Sequence, residues 1–320
     1  QGMSDERLLV TGGFGFVGSA VVKRLVEQGE ARVQVLDDCS LGMPENLGDA
    51  LPFVTSAIVD IRDQAEVRAA MRELSPDVVI HLAALHFIPA CDEDPKRCLD
   101  INVGGTQAVL DGCAEVEAKA VVIASTAAVY APDTAAHGED AEIGPTDVYG
   151  LSKLFSERLA ELFHRNTSTP TGVARLFNVF GPGETNPHLI PAVIRQAERG
   201  GELRLGNLTT KRDYVFVDDV ADGLIALARQ LRGGDGWLRC NLGREEAVDG
   251  HGLVSTIGEL MGVELAVAND PRRMRRSDRP VLLSDCSGAR SSLQWRAGTT
   301  LRDGLAAALR RPTATGVSVE

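Results

Sequence analysis

Short apolar runs alternate with amphipathic, helix-like segments along the first half of the chain. Several runs, such as Val78–Ile80 and Ala120–Ile123, are continuously apolar, which is typical of strands buried on both faces of a parallel sheet. The predicted strands are Arg7–Thr11, Ala31–Leu36, Val78–Leu82, Ala120–Ser125 and Gly172–Phe177, and the predicted helices are Phe16–Gln28, Ala65–Leu74, Asn102–Ala114 and Tyr149–Arg165. This order predicts an α/β fold with a doubly wound parallel sheet.

The pattern changes after about residue 175. Turn-forming residues crowd positions 181–188, and the Arg-rich stretch Pro271–Pro280 has no helical periodicity. We therefore predict a first α/β domain at residues 3–174 and a smaller, more irregular substrate-binding domain at 175–320. A strand at 213–220 followed by a helix at Val220–Leu231 is expected to pack back on the first domain, so that residues 213–243 join it.

Composition and charge narrow the possible partners. The 320 residues are 44% apolar and 24% charged, as in a soluble globular protein, and the formal charge of -12 disfavours nucleic acid and anionic membranes as partners. No apolar run approaches the about 18 residues of a membrane span. We interpret Gln1–Met3 as a tag remnant before a native methionine, not a signal peptide, and expect a cytoplasmic protein. The six cysteines form no C-x-x-C pair, which predicts reduced thiols and no metal site.

A glycine-rich segment lies between the first predicted strand and the first predicted helix. Gly12, Gly15 and Gly18 have the spacing that lets a pyrophosphate approach a helix N-terminus. Asp37, at the end of the next strand, would bind a ribose diol and repel a 2'-phosphate, which favours NAD over NADP. The alternative is an ordinary tight turn between a strand and a helix.

A second set of residues predicts acid-base chemistry. The i, i+4 spacing of Tyr149 and Lys153 places a phenol and an ammonium on one helix face. A nearby cation lowers the pKa of a phenol, so Tyr149 could take an alcohol proton while a hydride leaves the same carbon. Thr126, at the end of a predicted strand, could hydrogen-bond the same oxygen. The alternative is a helix face with one aromatic residue and no catalytic role.

These motifs together resemble the extended short-chain dehydrogenase/reductase family, in its sugar-nucleotide epimerase/dehydratase branch. The resemblance implies a Rossmann fold, a tightly held NAD that is reduced and re-oxidised in one turnover, a UDP- or other nucleoside-diphosphate sugar substrate, and a homodimer. It rests on segments 12–18, 60–62, 81–84, 102–106, 125–130, 149–153, 175–183 and 211–220, which occur in the order expected of the family.

The resemblance also implies roles for individual residues. Thr126, Tyr149 and Lys153 would be catalytic. Cofactor contacts would come from Gly12, Gly15, Phe16, Val17, Gly18, Asp37, Asp38, Asp60, Ile61, Leu82, Ala83, Ala84, Asn102, Tyr149 and Lys153. Substrate contacts would come from His86, Thr126, Asn178, His188, Arg212 and Arg275, the arginines being suited to bidentate phosphate binding.

The resemblance implies that the reaction begins with hydride transfer from C4 of the sugar to NAD. The step that follows this oxidation would decide which reaction the enzyme catalyses. Ala127 and Ala128 stand where 4,6-dehydratases of this branch carry acidic residues, which argues against that reaction and favours a 4-epimerase. The whole chain also resembles the hexosamine 5,6-dehydratases of tunicamycin-type antibiotic assembly, and we favour 5,6-dehydration of UDP-N-acetylglucosamine over 4-epimerisation. A net ketoreductase and a non-catalytic dinucleotide sensor are further alternatives. The acid and base for dehydration would come from among His86, Cys91, Glu184 and His188.

Overall fold

The computed structural model describes residues 5–29, 31–234, 236–273 and 279–310. The first half contains five strands and six α-helices: β1 (Arg7–Thr11), α1 (Phe16–Gln28), β2 (Arg32–Asp37), β3 (Val54–Ile58), α2 (Gln64–Leu74), β4 (Val78–His81), α3 (Ile88–Glu93), α4 (Pro95–Leu99), α5 (Thr106–Glu115), β5 (Ala120–Thr126) and α6 (Val148–Thr167). Short 3-10 segments cover Pro44–Phe53 and Ala127–Val129, and a π-helical turn covers Asp100–Gly105.

The second half is built from shorter pieces. It contains β6 (Thr171–Leu176), β7 (Asn178–Phe180), α7 (Leu189–Arg199), β8 (Leu203–Leu205), β9 (Lys211–Phe216), α8 (Val217–Arg232), β10 (Trp237–Leu242), β11 (Ala247–Asp249), α9 (Gly250–Met261), β12 (Val267–Asn269), β13 (Val281–Leu282), α10 (Ser287–Leu293) and α11 (Leu301–Arg310). A 3-10 turn covers Pro271–Arg273, at the start of the Arg-rich stretch.

The main sheet has seven parallel strands in the order β10-β6-β5-β4-β1-β2-β3. This confirms the predicted doubly wound fold. The apolar strands supply both cores, since alternate side chains of one strand point to opposite faces. In β1, Leu8 and Val10 join the core under α1 and α8, whereas Leu9 joins the core under α2 and α5. Burying each such side chain stabilises the fold by about 1.5–3 kcal/mol.

Several elements differ from the sequence prediction, most by one or two residues at an end. β3 was not predicted, because this edge strand is largely exposed and lacks an apolar run. β2 lies one residue later than expected. The helix predicted from Asn102 begins instead at Thr106, after the π-helical turn. Helix α8 begins at Val217, so Asp218 and Asp219 occupy its first turn and do not belong to the preceding strand.

The chain after β6 contributes to two sheets. Helix α8 packs against α1, and β10 forms the outer edge of the main sheet beside β6. By contrast, β9 pairs with β7, β11 and β13 in a separate four-stranded sheet. A third apolar core lies among β9, α7, α9 and α11. The loops between the two sheets therefore lie over the carboxyl ends of the main strands.

Candidate active site

A deep cleft lies at the carboxyl ends of β1, β2, β4, β5 and β6, where open parallel sheets bind their ligands. Nearly all of the residues predicted to bind cofactor or substrate lie in its wall. They are Gly12, Gly15, Phe16, Val17, Gly18, Asp37, Asp38, Asp60, Ile61, Leu82, Ala83, Ala84, His86, Thr126, Tyr149, Lys153, Asn178, His188 and Arg212. Residues separated by up to 200 positions in the sequence thus share one cleft.

The glycine loop has a geometry that side chains would block. Gly12 has a φ of +68°, in the left-handed region that favours glycine. A Cβ atom on Gly18 would lie 2.0 Å from the carbonyl oxygen of Gly12, so the first turn of α1 could not pack against the loop. Gly15 is the N-cap of α1, whose first turn has no acidic side chain. The loop therefore fits a pyrophosphate, which would meet backbone N–H groups at the positive end of the helix.

Asp37 lies beside this loop at the end of β2. Its carboxylate accepts hydrogen bonds from the backbone N–H groups of Phe14 (3.0 Å) and Cys39 (2.8 Å). Burial nevertheless raises the pKa of Asp37 above its ordinary value, because desolvation outweighs these bonds. The side chain also lines the cleft, where a carboxylate would repel a 2'-phosphate. This position fits the adenosine ribose of NAD.

His81, the last residue of β4, is buried below the cleft and hydrogen-bonds two threonines. Its Nδ1 lies 2.7 Å from the hydroxyl of Thr11, and its Nε2 lies 3.0 Å from the hydroxyl of Thr106. Burial lowers the pKa of His81 to about 3, so the ring is neutral near pH 7. The hydroxyl oxygen of Thr11 in turn accepts hydrogen bonds from the N–H groups of Leu82 and Ala83. The network fixes the ends of β1 and β4, on which the cofactor-binding loops depend.

The predicted catalytic residues come together at the amino end of α6. The helix begins after Asp147, whose side chain accepts a hydrogen bond from the N–H of Gly150 (2.7 Å). Tyr149 and Lys153 are one turn apart on this helix, and Thr126 is the last residue of β5. All three line the cleft.

The pKa values of this group differ from the sequence-based expectation. Burial raises the pKa of Tyr149 well above its ordinary value, and a hydrogen bond with Thr126 opposes the shift. Burial also lowers the pKa of Lys153 to about 8, with Glu157 acting in the opposite direction. The sequence predicts that the ammonium of Lys153 lowers the pKa of the Tyr149 phenol. Burial dominates instead, because both groups lose the water that would solvate their charged forms.

Two of the predicted residues lie behind the cleft wall. Asn102 is 1% exposed, and its carboxamide bonds both backbone groups of Leu85 and the hydroxyl of Ser152. The side-chain polar atoms of Asn102 are therefore occupied inside the protein, and its contact with the cofactor stays a prediction. Cys91 is likewise buried against Leu85 and Tyr149. Burial raises the pKa of its thiol, and Cys91 is not one of the residues that line the cleft.

The opposite wall carries the groups expected to meet the substrate. Asn178 and Arg212 line the cleft, and the side-chain oxygen of Asn178 is buried without a hydrogen-bond partner in the described part of the protein. A buried polar atom of this kind is costly unless a ligand pairs with it. Arg275 lies outside the described residues.

Titratable side chains of two loops meet beside these residues. Glu184 is 5% exposed, and its carboxyl oxygen lies 2.5 Å from Nδ1 of His188. Burial raises the pKa of Glu184. The amide nitrogen of Asn186 lies 2.6 Å from Nε2 of His86, and burial lowers the pKa of His86 to about 4. His86 is therefore a neutral hydrogen-bonding group near pH 7, whereas Glu184 and His188 form a pair that can exchange a proton.

Sequence reasoning did not identify Arg279 as a site residue. Its guanidinium lies in the cleft wall near Asp147 and Arg212. In the sequence it is one arginine among several between 272 and 279, and no spacing distinguishes it from the others. Only the pairing of β13 with β9 brings it to the cleft.

Other expectations concern thiols, metals and membranes. All six cysteines are free thiols, as predicted. Within the described ranges, no cluster of histidine, cysteine and acidic side chains has the arrangement of a metal site. None of the described helices combines the length and the apolar character needed to cross a bilayer.

Comparison with known proteins agrees with this fold and cleft. Residues 8–243 match the NAD dependent epimerase/dehydratase family. The chain is 33% identical over 306 residues to a UDP-glucose 4-epimerase of Streptomyces lividans, covering 90% of this chain and 91% of that protein. The crystal structure of UDP-glucose 4-epimerase from Brucella ovis in complex with NAD is 30% identical, with a TM-score of 0.86 and coverage of 95% and 98%.

A further similar structure is the UDP-N-acetylglucosamine 4-epimerase from Methanobrevibacter ruminantium M1 in complex with UDP-N-acetylmuramic acid. It is 25% identical, with a TM-score of 0.87 and coverage of 96% of this chain and 98% of that one. The chain belongs to the NAD dependent epimerase/dehydratase family. It is an NAD-dependent enzyme of the sugar-nucleotide branch.

Proposed function

We propose that the enzyme removes water across C5 and C6 of UDP-N-acetylglucosamine after transient oxidation of C4. The observation that carries this proposal is the buried carboxyl of Glu184, 2.5 Å from His188 on the wall of the cleft that also holds Tyr149. Inversion at C4 needs one proton acceptor, whereas dehydration needs a further base near C5 and an acid near the C6 hydroxyl. Glu184 and His188 would supply the base and the acid that dehydration needs in addition to Tyr149.

Tyr149, Thr126 and Lys153 serve the oxidation at C4 in this proposal. Tyr149 takes the proton of the C4 hydroxyl, and the hydroxyl of Thr126 bonds both the phenol and the same sugar oxygen. NAD supplies the hydride acceptor when bound, held by the glycine loop and Asp37. Lys153, with a pKa of about 8, carries a positive charge near pH 7, and in this proposal that charge stabilises the phenolate of Tyr149 against the burial that raises its pKa.

Glu184 and His188 serve the elimination. A C4 ketone acidifies the C5 proton, which the carboxylate of Glu184 takes as the C5–C6 double bond forms. The C6–O bond breaks, and protonated His188 gives its proton to the leaving hydroxyl, which departs as water. The proton on Glu184 then passes to His188 across the 2.5 Å contact, so the pair returns to its starting state. The hydride taken from C4 returns to C4, and Tyr149 gives its proton back to the C4 oxygen, which balances the transient oxidation. Arg212 and Asn178 hold the diphosphate during these steps.

A 4-epimerase of UDP-sugars is the second candidate. Two observations favour it: Ala127 and Ala128 provide no acid or base after Thr126, and relatives 28–33% identical to this chain are named UDP-glucose 4-epimerases. In that case the 4-keto sugar would rotate in the cleft, and the hydride would return to the opposite face of C4. Glu184 and His188 would then only bind substrate hydroxyls.

Incubation with UDP-N-acetylglucosamine and no added cofactor separates these reactions. We expect a product lighter by one water in mass spectrometry. An isobaric product with a changed retention time would establish epimerisation and overturn the dehydration. Turnover only with added reduced nicotinamide would overturn both and favour a net ketoreductase.

We also propose that the enzyme is a homodimer, joined through the outer face of α6. Leu151, Phe155 and Leu162 are 42%, 49% and 53% exposed on this helix, and Leu99 at the end of α4 is 38% exposed. Large apolar side chains repeated along one helix face mark an interaction surface. A second copy of the chain is the natural occupant, because a two-fold axis pairs the face with itself.

Replacement of both Leu151 and Phe155 by Glu is expected to yield a monomer. Each protomer would place two charges in the interface and lose about 1.5–3 kcal/mol for each apolar side chain no longer buried. Size-exclusion chromatography with light scattering measures the mass. Phe53→Glu is the control, since Phe53 is 71% exposed on another part of the surface. A double variant with the wild-type dimer mass would contradict this interface.

A further inference from the structure

Arg279 is a half-buried cation bonded to the backbone rather than to an acidic side chain. Its Nη1 donates a hydrogen bond to the carbonyl of Tyr130 (2.5 Å), and its Nη2 donates one to the carbonyl of Ala128 (3.0 Å). No carboxylate among the described residues forms an ion pair with it. Burial lowers the pKa of Arg279, with Arg212 acting in the same direction and Asp147 opposing. Burying a charged group is costly unless hydrogen bonds or an ion pair replace its lost water, and here two backbone carbonyls supply those hydrogen bonds.

The two carbonyls belong to the turn that follows Thr126. Residues Ala127–Val129 form a single 3-10 turn, and the N–H of Ala128 donates a hydrogen bond to the hydroxyl oxygen of Thr126 (3.2 Å). The peptide units around Ala128 are thus held at the carbonyl side by Arg279 and bonded at the N–H side to Thr126. Hydrogen bonds from a charged donor are about twice as strong as neutral ones, so this anchor is a firm one.

The backbone of Arg279 is bonded to the other end of the cleft. Its carbonyl oxygen accepts a hydrogen bond from Nη1 of Arg212 (2.8 Å), the residue proposed to hold the diphosphate. β13 follows directly and pairs in parallel with β9, which aligns Leu282 with Arg212. Hydrogen bonds and the covalent chain therefore run without interruption from Arg212 through Arg279 and Ala128 to Thr126.

We propose that Arg279 is a positioning residue that couples the diphosphate-binding side of the cleft to the catalytic hydroxyl of Thr126. This inference rests on the proposed roles of Arg212 and Thr126. It holds for dehydration and epimerisation alike, because both begin with oxidation at C4. Arg279 itself leaves the sugar unchanged and contributes through the orientation of the turn.

The substitution Arg279→Met removes both anchors while keeping most of the side-chain volume. We expect kcat to fall by about 10- to 100-fold, as is usual when a reacting group is displaced by a fraction of an ångström to 1 Å. KM for UDP-N-acetylglucosamine should change by less than about threefold, since Arg212 and Asn178 still bind the substrate. Arg279→Lys can bond one carbonyl and should recover part of kcat. Arg302→Met, on the exposed surface of α11 and away from both the cleft and the proposed dimer face, is the control for loss of an arginine.

A double-mutant cycle with Thr126→Val tests the coupling itself. If Arg279 acts through Thr126, adding Arg279→Met to Thr126→Val should lower kcat by no more than about twofold. Full multiplication of the two single effects would overturn the proposal, as would a raised KM with unchanged kcat, which would make Arg279 a direct substrate ligand. If Arg279→Met does not fold, the same cycle with Arg279→Lys decides the question. Absence of turnover in the wild-type enzyme would instead refute the proposed function.

Discussion

Tyr149→Phe is expected to abolish turnover of UDP-N-acetylglucosamine, with a loss of at least about 10³-fold in kcat. The phenol is the proposed acceptor of the C4 hydroxyl proton, and removal of a positioned acid-base group costs about 10²–10⁴-fold. The loss should reach the upper part of that range, because a hydrogen bond with Thr126 fixes the phenol beside the proposed position of the C4 hydroxyl. Product formation over time, followed by mass spectrometry, measures the effect.

The fold should survive this substitution, since the aromatic ring that packs against Leu85 and Cys91 remains. Bound NAD per protomer and the melting temperature should match the wild type. Thr167→Val is the matched control, because it removes a hydroxyl from the far end of the same helix, where the group donates to the carbonyl of Phe163 and accepts from the N–H of Thr169. Retention of more than a tenth of the activity by Tyr149→Phe would refute the catalytic assignment.

The main sheet could be predicted because its strands are buried on both faces. Apolar runs such as Ala120–Ile123 are typical of a buried parallel strand, and the glycine spacing places the first helix directly after β1. β3 escaped prediction since edge strands need fewer apolar residues. The π-helical turn before α5 was not predicted either: Asp100–Gly105 contains Asp, Asn and two glycines, which are poor helix formers, and no local pattern distinguishes a π turn from an α turn.

The candidate site also contains residues that local sequence spacing predicts and residues that it does not. Asp37 and the glycine loop depend on local geometry, which spacing along the chain reveals. Asn102 lies in a recognisable motif, yet its side chain points into the protein, where Leu85 and Ser152 occupy it. A motif thus predicted the neighbourhood of the residue but not the direction of its side chain.

Arg279 is a site residue that no local sequence pattern could have predicted. It reaches Ala128 and Tyr130 across about 150 residues of sequence, through a two-stranded pairing that no local pattern encodes. Glu184 and His188 lie between these extremes. Their i, i+4 spacing is visible in the sequence, but the loop conformation that buries Glu184 and joins the two side chains is a tertiary effect.

Glu184→Gln is expected to lower the rate of dehydration by at least about 100-fold while leaving oxidation at C4 intact. The amide has the shape of the carboxyl group and can still bond His188, but it cannot accept the C5 proton at neutral pH. Reduced nicotinamide should therefore still form on mixing with substrate, as a change in absorbance, without loss of water. Exchange of the C5 hydrogen with deuterated solvent should fall together with dehydration.

The control for this variant is Glu198→Gln, which removes an exposed carboxylate from α7, the helix that follows His188. It should dehydrate substrate at the wild-type rate. Unchanged dehydration in Glu184→Gln would show that another group takes the C5 proton. The same substitution also separates the two candidate reactions, because an epimerase needs no base at C5. A wild-type product inverted at C4 that Glu184→Gln still forms at full rate would place the buried pair in substrate binding alone.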